Sequence, residues 1–259
     1  MNPEAHKDLS LRFGSLFSGV GGMDLGLERA GMKCAWQVEI DPFCRKVLAQ
    51  HWPDVQRYND VKECGNHNLE PVDLIAGGFP CTDLSFAGNG AGLDGKHSSL
   101  WRDMLRIVSE LRPRYTIVEN VPALLYRGMG EVLGGLASCG YDAEWDCIPA
   151  ASVSAPHRRD RLFIVAYAPS ERRNAGQIFD QRSLECFRES QQAWGAYRFL
   201  PRTAFRPPSQ IPYATDERVP SRTGDRVDRF TALGNAVVPQ VVEWIGKQIL
   251  ESHREYRNT

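Results

Sequence analysis

The chain is 259 residues long, 42% hydrophobic and 24% charged, the composition of a globular protein that buries a core without disulfide or metal staples. No apolar run approaches the roughly 20 residues of a membrane span, and Met1 to Leu11 contains no apolar signal core. Cysteines at 34, 44, 64, 81, 139, 147 and 186 form no C-x-x-C pair, which argues against a disulfide framework or zinc site and for a reducing cytoplasm.

The net charge of −1 points to no partner, but its distribution does. Ala151–Phe230 carries 14 Arg, no Lys and nine acidic residues, a net +5 that leaves −6 elsewhere. An Arg-only segment on an acidic body is an anion-binding face or a solvated surface loop.

Short apolar runs rich in Val, Ile and aromatics predict strands over Arg12–Phe17, Cys34–Ile40, Val72–Ala76, Tyr115–Val121, Tyr141–Ile148 and Arg161–Ala168. The intervening pattern predicts helices over Gly22–Ala30, Pro42–Trp52, Ser98–Leu111 and Met129–Ser138. Leu100, Met104, Ile107, Val108 and Leu111 recur at helical spacing before Pro113, and Pro42 suits a first helical position with Asp41 as its cap. Strand–helix alternation implies an α/β fold with a mostly parallel, doubly wound sheet. From Pro169 to Asp228 no period is sustained, although Trp194, Tyr197, Phe199, Phe205 and Tyr213 supply groups to pack. Val237–Leu250 reads as a closing helix.

Phe17-Ser18-Gly19-Val20-Gly21-Gly22 joins the first strand to the first helix, and glycines there let the backbone approach a ligand. Counted from Gly19, the third position of a dinucleotide fingerprint falls on Asp24, so the match to a nicotinamide site is poor. Glu39 ends the second strand, where a carboxylate accepts ribose hydroxyls, so the pair suggests an adenosine-containing ligand or a plain strand–helix turn. Asp60 is an acceptor for an adenine amino group or a turn aspartate.

Gly77-Gly78-Phe79-Pro80-Cys81 follows an apolar strand. Its position presents Cys81 as a nucleophile beyond the strand end, whereas most cysteines are inert packing residues. Glycines at 88, 90, 92 and 95 then suggest a loop that closes over substrate. Glu119 ends another apolar strand, where partial burial makes a carboxyl a proton donor. Arg159 and Arg161 alternate onto one side of a strand entry and suit a carbonyl, phosphate or carboxylate.

In this order the blocks resemble the cytosine-5 DNA methyltransferase family: Phe17–Gly22 with Met23-Asp24-Leu25-Gly26, Val38-Glu39-Ile40-Asp41-Pro42, Asp60, Gly78-Phe79-Pro80-Cys81, Val118-Glu119-Asn120-Val121, Arg159-x-Arg161, and Leu233-Gly234-Asn235-Ala236-Val237-Val238-Pro239. The short intervening region is similar to that of small stand-alone bacterial and phage members. The resemblance implies a Rossmann-like S-adenosylmethionine-dependent fold. Its catalytic and cofactor-binding domain would span 1–168 and 225–259, with a small target-recognition region over 169–224. It further implies methyl transfer to carbon 5 of a flipped-out cytosine in double-stranded DNA by a monomeric cytoplasmic protein. Cys81, Glu119, Arg159 and Arg161 would be catalytic. Phe17, Ser18, Gly19, Val20, Gly22, Glu39, Ile40, Asp60, Val61, Pro80, Leu100, Asn235, Ala236 and Val237 would line the cofactor pocket.

The chain departs from the family pattern at Thr82 and His157, where Gln is usual, and in a block before Gly234 reduced to about Gly224–Thr231. An RNA substrate on the same fold and a catalytically silent DNA-binding homologue remain alternatives.

Overall fold

The computed structural model describes residues 10–80, 100–155, 157, 159–174, 178–190, 228 and 231–258. The apolar runs become strands β1 (Arg12–Leu16), β2 (Lys33–Val38), β4 (Leu74–Gly77), β5 (Tyr115–Asn120), β6 (Asp142–Pro149) and β7 (Asp160–Tyr167). A three-residue β3 (Gln56–Tyr58) joins them. It was not predicted, because Gln-Arg-Tyr has no apolar pattern and is a strand only through its pairing with β2. The sheet order is β3-β2-β1-β4-β5-β7-β6. β1 to β5 are parallel, and β7 runs antiparallel to both of its neighbours. The chain leaves β1 in one direction and returns to β4 on its other side, so the strand order reverses between them. In open α/β sheets ligands bind beyond the strand ends at such a point.

Helices cover both faces, as expected from the alternation. On one face α3 (Leu100–Leu111) and α5 (Met129–Ser138) bury Trp101, Met104, Ile107, Val132 and Leu136 against Ile75, Val118 and Ile164. On the other, α1 (Gly22–Ala30) and α7 (Pro239–Asn258) bury Met23, Leu27, Val242, Trp244 and Ile245 against Leu74, Ile117 and Phe163. Consecutive residues of the central strands go to opposite faces, so β4 and β5 are apolar almost throughout. Each large side chain buried this way contributes about 1.5–3 kcal/mol.

Local signals set the helix ends. The Asp41 carboxylate accepts from the amides of Phe43 and Cys44 at 2.8 and 2.9 Å, with Pro42 at the first position of α2 (Pro42–His51). Gly31 closes α1 in the left-handed conformation at φ 106°. The closing helix starts at Pro239 rather than Val237 and runs to Asn258 rather than Leu250. Its extra turns bury polar groups, Ser252 and His253, rather than the apolar ones that pattern reading detects.

Within the stretch that showed no period lies α6 (Gln181–Ser190). Asp180 accepts from the Ser183 amide at 3.0 Å, Leu184 is buried, and Trp244 Nε1 of α7 donates to Ser183 Oγ at 3.0 Å. The α6 sequence is predominantly polar, which leaves few apolar positions from which to read a period. The four-residue α4 (Leu124–Arg127) was likewise too short to predict.

α1 and α7 cross closely because small residues permit it. A Cβ on Gly26 would sit 2.5 Å from the Pro239 carbonyl oxygen, and one on Gly246 would sit 2.7 Å from Ala30 Cβ. That contact carries Val237 over the start of α1, where a Cβ on Gly22 would lie 2.6 Å from the Val237 carbonyl oxygen. The end of the chain thus returns to the first strand–helix turn.

Candidate active site

The turn after β1 is built on left-handed backbone: Phe17 at φ 55°, Gly19 at 54° and Gly21 at 80°. For a bulky residue such as Phe17 that conformation costs on the order of 1–2 kcal/mol, and such outliers concentrate at ligand sites. The turn is pinned by Ser18, whose amide donates to the Val38 carbonyl at 3.1 Å, and by the Gly21 amide, which donates to the Ser18 carbonyl at 2.9 Å.

Asp24, at the position where a dinucleotide fingerprint would have glycine, is turned away from the cleft and fully buried. It accepts from Ser15 Oγ at 3.0 Å and Gln37 Nε2 at 2.9 Å, tying α1 to β1 and β2. Burial pushes its carboxyl up to about 6 against those hydrogen bonds. The close approach that needs glycine falls at Gly22 instead.

Glu39 follows β2 and is buried to 9% exposure. Its oxygens accept from the backbone amides of Gly19 at 2.6 Å and Asp41 at 2.7 Å. Burial raises its ionisation above the usual carboxylate range, opposed by those two amides. Each oxygen keeps a lone pair for a further donor. Asp60 lies beyond β3 and accepts from the Lys62 amide at 3.0 Å, capping a 3₁₀ turn over Val61–Glu63. It is a turn aspartate and a cleft residue at once.

Across the cleft, β4 ends at Gly77 and β5 carries Glu119, buried to 8% exposure. Arg161 Nε stands 3.0 Å from Glu119 Oε1. Burial raises the Glu119 carboxyl above its ordinary value, against the pull of Arg161 and then Arg159. A Cβ at Gly78 would lie 2.5 Å from Glu119 Oε2, so any larger residue there would displace the carboxylate. Asn120 Nδ2 donates to the Phe79 carbonyl at 3.1 Å, fixing the segment that leads to Pro80.

These elements enclose a cleft of about 840 Å³, the size of a site for a nucleoside-sized ligand. Phe17, Ser18, Gly19, Val20, Gly22, Glu39, Ile40, Asp60, Val61, Pro80, Leu100, Asn235, Ala236 and Val237 all line it, as do Glu119 and Arg161. Arg159 does not; it lines a small cavity with Arg161, Phe163 and Val237. Cys81, the glycine-rich loop after it and Thr82 fall outside the described residues, but Pro80, which immediately precedes Cys81, lines the cleft.

Sequence reasoning missed Asn120, Asp41, Cys44, Asp228 and Thr231, which also line the cleft. Asn120 stood beside Glu119 in the sequence. Asp228 and Thr231 lie in the reduced block before Gly234, about Gly224–Thr231, but no residue type or spacing there singled them out.

Comparison with known proteins gives a consistent picture. The model of the C-5 cytosine-specific DNA methylase family matches residues 11–196. The chain is 35% identical over 160 residues to the Type II methyltransferase M2.BsuMI of Bacillus subtilis, covering 59% of this chain and 41% of that protein. It is 32% identical over 169 residues to M.CviJI of Paramecium bursaria Chlorella virus IL3A, covering 63% and 46%. The chain therefore spans less than half the length of these curated relatives. Among solved structures, one assigned as a DNA modification methyltransferase encoded within a prophage (E. coli) superposes with a TM-score of 0.54 at 30% identity, over 62% of this chain and 47% of that one. A Spodoptera frugiperda DNMT2 mutant, at 20% identity and a TM-score of 0.51 over 66% and 53%, shares the fold.

Proposed function

The chain belongs to the C-5 cytosine-specific DNA methylase family, and on that premise we propose that it methylates carbon 5 of a cytosine flipped out of duplex DNA. The observation that carries this reading is one cleft with a carboxylate at each end. Glu39 faces the glycine turn, and Glu119, paired with Arg161, stands beside the Gly78-Phe79-Pro80 segment that leads to Cys81.

S-adenosylmethionine fits the first end. Ile40, Val61, Pro80 and Leu100 offer apolar walls for a purine, Glu39 an acceptor for ribose hydroxyls and Asp60 one for an exocyclic amine. When bound, it supplies an electrophilic methyl group on a sulfonium. The chain's own residues must make the ring carbon nucleophilic, because an unactivated aromatic carbon does not attack readily. In this reading the Cys81 thiolate adds to carbon 6, and the ring electrons move toward carbon 5. Glu119 holds N3 and the exocyclic amine as charge develops. The family resemblance assigns the O2 carbonyl to Arg159, which lines the small adjoining cavity rather than the cleft itself, and Arg161 keeps Glu119 in place. Carbon 5 takes the methyl, the methyl–sulfur electrons staying on the donor sulfur. It then loses its proton to solvent water, and the electrons of that bond restore the carbon 5–carbon 6 double bond as the carbon 6–sulfur bond breaks to return the thiolate. Those atoms are inaccessible in a stacked duplex, which is why the base must be extruded.

Residues 169–224 form the target-recognition region in this reading, supported by their Arg-only basic charge, which suits phosphate contacts. The protein acts as a cytoplasmic monomer on double-stranded DNA. Among the described residues no helix is long and apolar enough to cross a membrane. The test is methyl transfer from S-adenosylmethionine to duplex DNA, mapped by bisulfite sequencing. Protected cytosines in a recurring sequence context are expected. Incorporation into transfer RNA but not DNA would overturn the substrate, and none into either would overturn the activity.

A further inference from the structure

The loop carrying Asp60 and Val61 is held from outside by a helix it does not belong to. Arg106, in the middle of α3, donates from Nη2 to the Val61 carbonyl at 3.1 Å and from Nη1 to the Cys64 carbonyl at 2.8 Å. The Val61 carbonyl also accepts the Cys64 amide at 3.2 Å, the bond that closes the 3₁₀ turn over Val61–Glu63, so the guanidinium grips both ends of that turn. The same Nη1 donates to Glu110 Oε1 at 3.1 Å, one turn further along α3. Glu110 Oε2 in turn accepts the Asn66 amide at 2.9 Å. Between these contacts sits Gly65, where a Cβ would fall 2.5 Å from Glu110 Oε2 and 3.3 Å from Arg106 Nη1. A side chain at 65 would displace the Glu110 carboxylate from this arrangement. Inside the loop, Cys64 Sγ donates to the Asp60 carbonyl at 3.2 Å, so the clamp reaches Asp60 through one further bond. α3 also begins at Leu100, a cleft residue, about two helical turns before Arg106. One rigid helix therefore sets two walls of the cleft.

We propose that Arg106 is a positioning residue for the cofactor, whose bridging guanidinium, braced by Glu110, holds Asp60 and Val61 at the spacing that closes the cleft around adenine. This rests on the reading that the cleft binds S-adenosylmethionine. The guanidinium fork spans two carbonyls and a carboxylate at once, which the single ammonium of lysine does not reproduce.

Calorimetric titration with S-adenosylhomocysteine tests this on the full chain. Arg106→Ala is expected to weaken binding roughly tenfold or more, and Arg106→Lys to recover only part of that loss. In turnover assays KM for S-adenosylmethionine should rise while kcat stays within about twofold. If Arg106 acts through Asp60, the double variant Asp60→Ala/Arg106→Ala binds no more weakly than Asp60→Ala by more than about twofold. Should Arg106→Ala fail to fold, Gly65→Ala, whose Cβ displaces the Glu110 carboxylate that braces the intact arginine, is expected to raise the dissociation constant likewise. Binding by Arg106→Ala or Gly65→Ala within twofold of the wild type would overturn the inference alone, as would losses that add in the double variant. A wild type that binds no S-adenosylhomocysteine would overturn the functional reading and this inference with it.

Discussion

Glu39 and Glu119 are buried carboxylates at two strand ends of one cleft, with 9% and 8% exposure, yet they are held by different means. The Glu39 oxygens accept from main-chain amides of Gly19 and Asp41, donors that carry no net charge and move only if the turn after β1 moves. Glu119 is held by the Arg161 side chain at 3.0 Å, with Gly78 packed against its other oxygen. The first arrangement suits a group that must present fixed acceptors to a ligand. The second suits a group whose charge follows a reaction, because a guanidinium stabilises the anion while burial favours the acid. Both carboxyls are raised above the usual range by burial; around Glu39 the charges of Asp41 and Arg45 act in opposite directions, whereas around Glu119 the guanidiniums of Arg161 and Arg159 both favour the anion.

That contrast can be broken in two places. The larger effect is expected at Glu119. Glu119→Gln should lower kcat by about 10²–10³, the scale of a lost proton-handling group, and leave S-adenosylhomocysteine affinity within about threefold. The pH dependence follows from the sign of the shift. A raised carboxyl stays protonated to higher pH than an ordinary one, so its protonated form fades as pH climbs through the raised value. Any limb of the rate profile that depends on the protonated acid falls with rising pH in the wild type and is absent in Glu119→Gln. A full rate in Glu119→Gln would show that the second carboxylate is structural.

A smaller effect in the opposite parameter is expected at Glu39. Glu39→Gln replaces one acceptor oxygen by a donor facing a backbone amide, a loss of about 1.5–3 kcal/mol for a hydrogen bond to a charged group. The dissociation constant for S-adenosylhomocysteine should rise roughly 10- to 100-fold, with kcat at saturating cofactor within about threefold, as titration and steady-state kinetics would show. Equal losses in kcat at both positions would erase the distinction between them.

Where structure depends on local signals, the chain is legible from sequence. The helix over Gly22–Ala30, the Asp41-Pro42 start of α2 and the apolar β4 and β5 follow from glycine, capping and periodicity. The return of Asn235–Val237 to the cleft came only from the family resemblance. Its structural cause, the close crossing of α1 and α7 through Gly26 and Gly246, is a tertiary contact that no local pattern encodes. β3 was illegible because pairing with β2 defines it, and α6 because its sequence is predominantly polar. The Arg106–Glu110 spacing is that of any i, i+4 ion pair on a helix. Its grip on a loop some 40 residues earlier appears only when the chain is folded.

The central claim, covalent activation of cytosine by Cys81, is tested most directly with a duplex carrying 5-fluorocytosine at the methylated position. Fluorine cannot depart as a proton does, so the wild type with S-adenosylmethionine is expected to give a protein–DNA species that survives denaturation, and Cys81→Ala none. A wild type that methylates the ordinary duplex yet forms no such species, or a Cys81→Ala variant that forms it equally well, would contradict the account.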